Sequence, residues 1–273
     1  MTATAIATPE QPLRCSSAAT LQGCVGLWAL RAFGRDSAGQ AAHNGSAVSR
    51  AVELWHSIPD RSASAEHVEH VLARVEAERE RWSLYEQPIV RAWTEGYVGD
   101  PRNGPRLAGE VRCEVAVSVA LAPSEDDPTG QPVCLRGTLD QVRRAGPGSP
   151  WFVWDLKSGR AGGMELAYQH LWQIGVYALA HHATTGEPTL LGGVIRLRGY
   201  DGKAGGGLHA THYPYLGSSP EALSTIAGEV AAHVARLRRG EVMLQPGAHC
   251  QYCPAGNPLT CARDVAAIAE ITL

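Results

Sequence analysis

Val133-Cys-Leu-Arg-Gly137-Thr-Leu-Asp140-Gln-Val-Arg143, a turn, Trp151-Phe-Val-Trp-Asp155-Leu-Lys157, and then Glu165 to Tyr177 containing Gln173-Ile-Gly-Val-Tyr177 form the stretch whose reading decides the fold. The first two segments alternate or run apolar over strand lengths, with the Gly and Pro rich Ala145 to Pro150 between them, which predicts two antiparallel strands. Glu165 to His182 changes to helical period. Two strands followed by a helix, with charged residues at the strand ends, is the unit around which the rest is arranged.

Working outward, Glu110 to Leu121 alternates Val and Ala with polar residues and adds a third antiparallel strand before the turn-rich Pro123 to Pro132. Downstream, Leu191 to Arg198 and His209 to Tyr215 read as two more strands, and Pro220 to Arg239 as a closing helix. Upstream, the pattern predicts a helix from Ser17 to Ala32, a second over Ser46 to Ile58, and a third, laced with Glu and Arg on an exposed face, over Ala63 to Glu86, with Pro88 as punctuation. The expectation is an α/β fold, a mixed central sheet of about five strands flanked by helices. Residues 1–14, rich in Thr, Ala and Pro without periodicity, read as a disordered tail, and 15–273 as a single domain.

The chemistry lies at the strand ends. Residues two apart on a strand share a face, so Asp155 and Lys157 point the same way and Leu156 the other. Asp140, on the neighbouring strand, can bring a second carboxylate beside Asp155, and two carboxylates that close repel unless a cation lies between them. Magnesium takes such oxygen ligands while keeping several waters, and a substrate phosphate completes its shell. Phosphodiester hydrolysis fits, with Lys157 orienting a water or offsetting charge on the phosphate. Gln173 and Tyr177, four apart, share one helical face and present an amide and a phenol to the same region. Taken singly, each part has a bland reading: Asp-x-Lys on a strand is usually a solvated ion pair, Asp140 a turn residue, Gln173 and Tyr177 helix surface and core. The order strand, strand, helix is what lifts the set above its parts.

With these residues in place, Gly137-x-x-Asp140, Asp155-x-Lys157 and Gln173-x-x-x-Tyr177, the chain resembles the RecB-like branch of the PD-(D/E)XK nuclease superfamily from about Ser17 to Cys261. The resemblance implies a restriction-endonuclease-like core and a deoxyribonuclease dependent on Mg²⁺ or Mn²⁺. It gives Asp140 and Asp155 the metal, Lys157 a part in hydrolysis, and Gln173 and Tyr177 the support of the site or of the DNA. It also sets Glu114 at an acidic position one strand earlier. Exonuclease action on single-stranded or end-processed DNA follows by analogy alone. One departure stands out: relatives often carry Gly-Thr-x-x-His on an early helix, and this chain reads Gly45-Ser-Ala-Val-Ser49, a serine where the imidazole would be. A non-catalytic DNA-binding or scaffolding protein with the same fold is the alternative that this serine leaves open.

Cys250-x-x-Cys253 and Cys261 set three thiols in a Pro and Gly rich loop suited to a metal. The resemblance to AddB-type and CRISPR-associated nucleases makes Cys24 the fourth ligand of a [4Fe–4S] cluster that would join the two ends of the chain. Zn²⁺ uses the same four thiolates, and His249 or Cys15 could replace Cys24. Cys113 and Cys134, within strands, read as small buried hydrophobes.

Composition limits the rest. The 273 residues are 44% hydrophobic and 19% charged, enough for a core without disulfide staples. Twenty-four Lys and Arg against 27 Asp and Glu give a net charge of −3, so no global basic field advertises a polyanion. DNA contact would fall to local groups: Arg136, Arg143 and Arg144 beside Asp140, Arg196 and Arg198, or Arg236, Arg238 and Arg239. Trp151 and Trp154 read as core. No apolar run reaches the about 20 residues of a membrane span, and an odd count of seven cysteines favours a reducing, cytoplasmic setting without membrane partners. The resemblance also implies DNA as partner, with recombination, phage or CRISPR-related proteins beside it.

Overall fold

A computed structural model of the chain describes residues 6–24, 40–103, 109–158, 164–197, 212–214 and 220–241. Along them run β1 (Leu13–Arg14), α1 (Cys15–Gly23), α2 (Gln40–His56), α3 (Ala65–Ala77), a 3-10 turn (Arg79–Trp82), α4 (Gln87–Gly99), β2 (Glu110–Leu121), β3 (Val133–Arg144), β4 (Trp151–Lys157), α5 (Met164–Thr185), β5 (Thr189–Arg196), β6 (His212–Pro214) and α6 (Pro220–Arg238).

Antiparallel β2, β3 and β4 form the expected meander, α5 carries the chain across to β5 parallel to β4, and β6 returns antiparallel to β5. A sixth strand, the short β1, lies parallel to the outer half of β3 through Leu13↔Leu135 and Arg14↔Arg136. This mixed sheet separates two cores. On one face α1, α5 and α6 bury Leu21, Ile174, Val176 and Val234 against Leu135, Leu139, Val142 and Val153. On the other, α2, α3 and α4 bury Trp55, Val71, Trp93 and Tyr97 with Trp154 and Leu156 packed against them. Trp55 and Trp151 are wholly buried, and truncating either to Ala should cost about 3–5 kcal/mol.

Midway along the β2–β3 ladder the alternation of faces switches. Val115, Val117 and Val119 of β2 face the first core but Cys113 faces the second, while Leu135 and Leu139 of β3 face the first core and Gln141 bonds into the second. Glu114 and Asp140 fall opposite one another at the switch, bracketed by Cys113↔Gln141 and Val115↔Leu139. Glu114 takes φ 51°, a left-handed conformation that costs a non-glycine residue about 1–3 kcal/mol. Beyond the switch the outer half of β3 exchanges β4 for β1.

Several expectations change. Residues 6–14 are not a loose tail: Ile6 and Ala7 are buried, Ala7 accepts a backbone bond from Cys134, and β1 joins the sheet. The first helix stops at Gly23 rather than Ala32, residues 25–39 lying outside the described set. The helix expected over Ala63 to Glu86 is two pieces, α3 with Val68, Val71 and Val75 inward, and then the 3-10 turn. Pro88 does not stop structure but starts it, at the first turn of α4, where the missing N–H has no helical partner to lose. Several arginines offered as DNA contacts are structural. Arg143 is buried and donates to Gln141, Asn103 and the Tyr97 hydroxyl, tying α4 to the sheet. Arg144 is paired with Glu110 and Glu187. Arg238 forms a fully buried pair with Asp127 at 2.7 Å and also donates to the carbonyls of Ile6, Ala7, Gln131 and Pro132. That one guanidinium fastens the N-terminal segment, the β2–β3 loop and the end of α6 together.

Candidate active site

Gly137 sits on β3 where the first turn of α1 crosses it. A Cβ at that position would stand 3.1 Å from Cys15 Cβ and 3.2 Å from its Sγ, so the glycine lets α1 lie on the strand. This fixes the course of β3 three residues before Asp140. Burial pushes the Cys15 thiol up to about 12, so in the metal-free protein it is a neutral packing group between α1 and β3.

Asp140 and Asp155 then meet at the inner end of the sheet. Extrapolated beyond Gln141↔Trp154, the β3–β4 ladder sets Asp140 opposite Asp155. Instead of continuing the backbone pairing, Asp140 accepts the Leu156 N–H on its Oδ2 at 2.6 Å. The Asp140 carboxyl is raised to about 7, first by desolvation and then by the Asp155 carboxylate, against the opposing pull of Lys157 and the Leu156 N–H.

Asp155 is 2% exposed. Its Oδ1 accepts from Gln173 Nε2 at 3.1 Å and its Oδ2 lies 2.8 Å from Lys157 Nζ. That second contact is an ion pair whose angle does not make a hydrogen bond, so Oδ2 keeps an unsatisfied lone pair in a buried setting. Lys157 Nζ donates instead to Gln173 Oε1 at 3.0 Å. The ammonium requires the amide oxygen and the carboxylate requires the amide nitrogen, so the two together fix which way Gln173 faces. Gln173 Nε2 also donates to the Tyr177 hydroxyl at 3.2 Å. Burial and the two aspartates raise the Tyr177 phenol above its ordinary value, keeping its proton on. Glu114, from the left-handed site on β2, is raised by desolvation and by Glu53.

All six residues singled out from the sequence, Glu114, Asp140, Asp155, Lys157, Gln173 and Tyr177, line one cavity of about 700 Å³. The serine at the expected histidine position, Ser49, lines it too. Gly45, one turn earlier on α2, has its missing Cβ 2.8 Å from Ser158 Oγ, so only a glycine lets α2 close over the end of β4. His56, the last residue of α2, is hydrogen-bonded to the Tyr97 hydroxyl at 2.9 Å and is held neutral by burial.

Other lining residues escaped the sequence reading. Arg50 and Glu53 follow Ser46 and Ser49 on one face of α2, and Arg81 and Trp82 come from the 3-10 turn. The spacing 46, 49, 50, 53 was a legible helical stripe, but nothing local says that it faces the strand ends. His170, one turn before Gln173 on α5, has Nδ1 3.1 Å from Arg196 Nη2 and is kept neutral by burial, Lys157 and Arg196.

The donor set suits a hard divalent cation. Asp140 and Asp155 offer oxygens, one of them unsatisfied, on a floor with few protein ligands. Among the described residues no group of three or more His, Cys, Asp or Glu forms a ready-made cage. An ion that keeps its waters and takes one or two carboxylates plus a substrate phosphate needs none. Of the proposed cluster ligands, Cys24 is buried at the end of α1, whereas Cys250, Cys253 and Cys261 lie outside the described residues. Among the described residues no helix is long and apolar enough to cross a membrane.

Comparison with curated proteins finds no match. The family model of the PD-(D/E)XK nuclease superfamily matches residues 12–257, which spans β1, the whole cavity and both of its walls, and the chain belongs to that superfamily.

Proposed function

We propose that the protein is a metal-dependent deoxyribonuclease that hydrolyses phosphodiester bonds, acting as an exonuclease on single-stranded or end-processed DNA. The observation that carries this reading is the Lys157–Gln173–Asp155 linkage beside Asp140 in one cavity. It orders a carboxylate pair and an ammonium around a space left for a phosphate. PD-(D/E)XK nucleases typically use Mg²⁺ or Mn²⁺, and Asp140 and Asp155 would hold such an ion. An ion held there would supply Lewis-acid polarisation of the scissile phosphate and a more acidic water.

The chain's own residues supply the rest. Lys157, its ammonium steadied by the Gln173 carbonyl, offers hydrogen bonds to the attacking water and to the phosphate oxygen on which charge builds. Gln173 bridges the Asp155–Lys157 ion pair, donating to Asp155 Oδ1 and accepting from Lys157 Nζ, and so orients both groups. Tyr177 stays protonated and fixes the amide. The cavity, in the size range of small-ligand pockets (about 300–1,000 Å³), accommodates a few nucleotides of one strand and supports a single-stranded or frayed substrate. The Cys24, Cys250, Cys253 and Cys261 cluster, [4Fe–4S] or Zn²⁺, belongs to the same proposal and rests on the resemblance and on the buried place of Cys24.

Labelled linear and circular DNA, incubated with the pure protein and Mg²⁺ or Mn²⁺, tests the activity. Shortening of the linear substrate only, lost by about 10²–10⁴-fold in Lys157→Ala, is expected. Full cutting by that variant assigns the chemistry elsewhere. Cation-dependent binding without product favours the scaffolding alternative, to which Ser49 in the cavity wall points. A brown protein with visible absorption indicates iron and sulfur, a colourless one with bound zinc the structural alternative.

A further inference from the structure

Facing the carboxylate floor, α2 and the 3-10 turn contribute two arginines to the cavity, and one carboxylate holds both. Arg50 Nη2 lies 2.8 Å from Glu78 Oε1, and Arg81 Nη1 lies 2.7 Å from Glu78 Oε2. Glu53 takes the remaining side of Arg50 at 2.6 Å. The Arg81 guanidinium is stacked over Trp82, 5.4 Å from the ring centroid, yet its side chain is 65% exposed. An ion pair this exposed contributes little to stability, so Arg81 can exchange its carboxylate for another anion at small cost. Arg50 differs, being 24% exposed and held by two carboxylates.

We propose that Arg50 and Arg81 are the strand-anchoring site of the cavity, binding a phosphate of a single-stranded polynucleotide next to the one being cut, and that Glu78 is the internal counter-ion occupying this site in the free protein. The inference rests on the nuclease reading and adds to it the residues that recognise substrate and the group that competes with it. Arg50 reaches both oxygens of Glu78, Oε1 through Nη2 at 2.8 Å and Oε2 through Nε at 3.2 Å, and Arg81 adds a donor to Oε2, so the two planar forks converge on one two-oxygen anion, as a phosphodiester's two free oxygens require. Glu78 itself closes α3 and is not among the residues lining the cavity, so an entering phosphate meets the guanidinium faces first. With a chain charge of −3 and four carboxylates, Glu53, Glu114, Asp140 and Asp155, lining the cavity, these two cations give a polyanion somewhere to land.

The test is the opposite sign of two substitutions. Binding of a fluorescein-labelled oligodeoxythymidylate is followed by fluorescence anisotropy in EDTA, where nothing is cut, at two salt concentrations. Arg81→Ala should weaken binding roughly tenfold and lower the log–log salt slope by about 0.7 for a single strand. Glu78→Gln, of the same shape, should tighten binding by roughly threefold at low salt. In cleavage with Mg²⁺ or Mn²⁺, Arg81→Ala should raise KM and leave kcat unchanged. A merely structural role weakens binding in both variants, and that result overturns the proposal. So does a wild-type protein that fails to bind the oligonucleotide, or two variants that bind as wild type does. Loss of the nuclease reading shows separately, as binding with the two opposite shifts but no product with either cation.

Discussion

Asp140 accepts the backbone N–H of Leu156 at 2.6 Å, so a side chain of β3 takes over the bond that the next rung of the β3–β4 ladder would have made. The exchange occurs where the faces of β2 and β3 switch and where Glu114 holds a left-handed backbone. It leaves one carboxylate beside another in a setting with little water, and the free protein bears that repulsion. A site arranged for a cation is expected to be costly without one.

Asp140→Asn follows directly. The amide oxygen can still accept the Leu156 N–H, while the repulsion with Asp155 disappears. The cation-free variant should be more stable than wild type by about 1 kcal/mol, a rise in Tm of about 2–4 °C, and should lose cleavage. A melting curve in EDTA and a gel assay check both. A lower Tm would show that the charge at Asp140 supports the fold.

The pH response has a definite sign. Asp140 is raised to about 7 in the folded protein, against about 3.9 in an unfolded chain. Between those values the native state holds a proton that the unfolded state has released, so stability falls as pH rises through the window. Cation-free protein should therefore melt lower at pH about 7.5 than at pH about 5. Saturating Mg²⁺ should flatten that slope, because the ion binds the deprotonated form. At cation concentrations below saturation, cleavage should rise with pH up to about 7, because the ion competes with the proton on Asp140, and a cation requirement independent of pH across that range contradicts the assignment.

Gln173→Leu keeps the helix and removes both hydrogen bonds to the Asp155–Lys157 pair. Loss of such an outer support typically costs about 10–100-fold in cation affinity or activity. Cation titration followed by cleavage rate should show that loss with little change in Tm. An unchanged cation dependence would mean that Asp155 and Lys157 orient themselves.

Arg238→Ala leaves Asp127 buried without its partner and frees several backbone carbonyls. Breaking one side of a buried pair costs about 3–5 kcal/mol, and chemical denaturation should register that loss. None of these groups lines the cavity, so kcat of the folded fraction should stay near wild type.

Much of this was legible in sequence because it is periodic. Glu110 to Leu121 and Val133 to Arg143 alternate at period two, Glu165 to His182 runs at helical period, and the turns between are marked by Gly and Pro. The order of Asp140, Asp155, Lys157, Gln173 and Tyr177 placed those residues on elements that a meander and its following helix bring together. What escaped depends on burial that no local pattern encodes. Residues 6–14 lack periodicity because β1 is two residues long, and the segment before it is anchored by Arg238 and by two buried side chains, Ile6 and Ala7, too few to show a period. Pro88 carries the same sequence signal whether it ends one helix or begins another. Arg143 and Arg144 read alike on paper, yet one is sealed under α4 and the other paired at the surface side of β3.

Read without coordinates, the amino-acid order determined which elements form and which carboxylates, amide and ammonium end up on neighbouring ones, since side-chain alternation and helical pitch are properties of the local backbone. Only the tertiary structure decided that α2 and the 3-10 turn close the cavity from the other side, bringing Arg50 and Arg81 to face Asp140 and Asp155. That approach is set by two cores packing against opposite faces of one sheet and by the absence of a side chain at Gly45, and such a fit exists only once the whole surface is buried together.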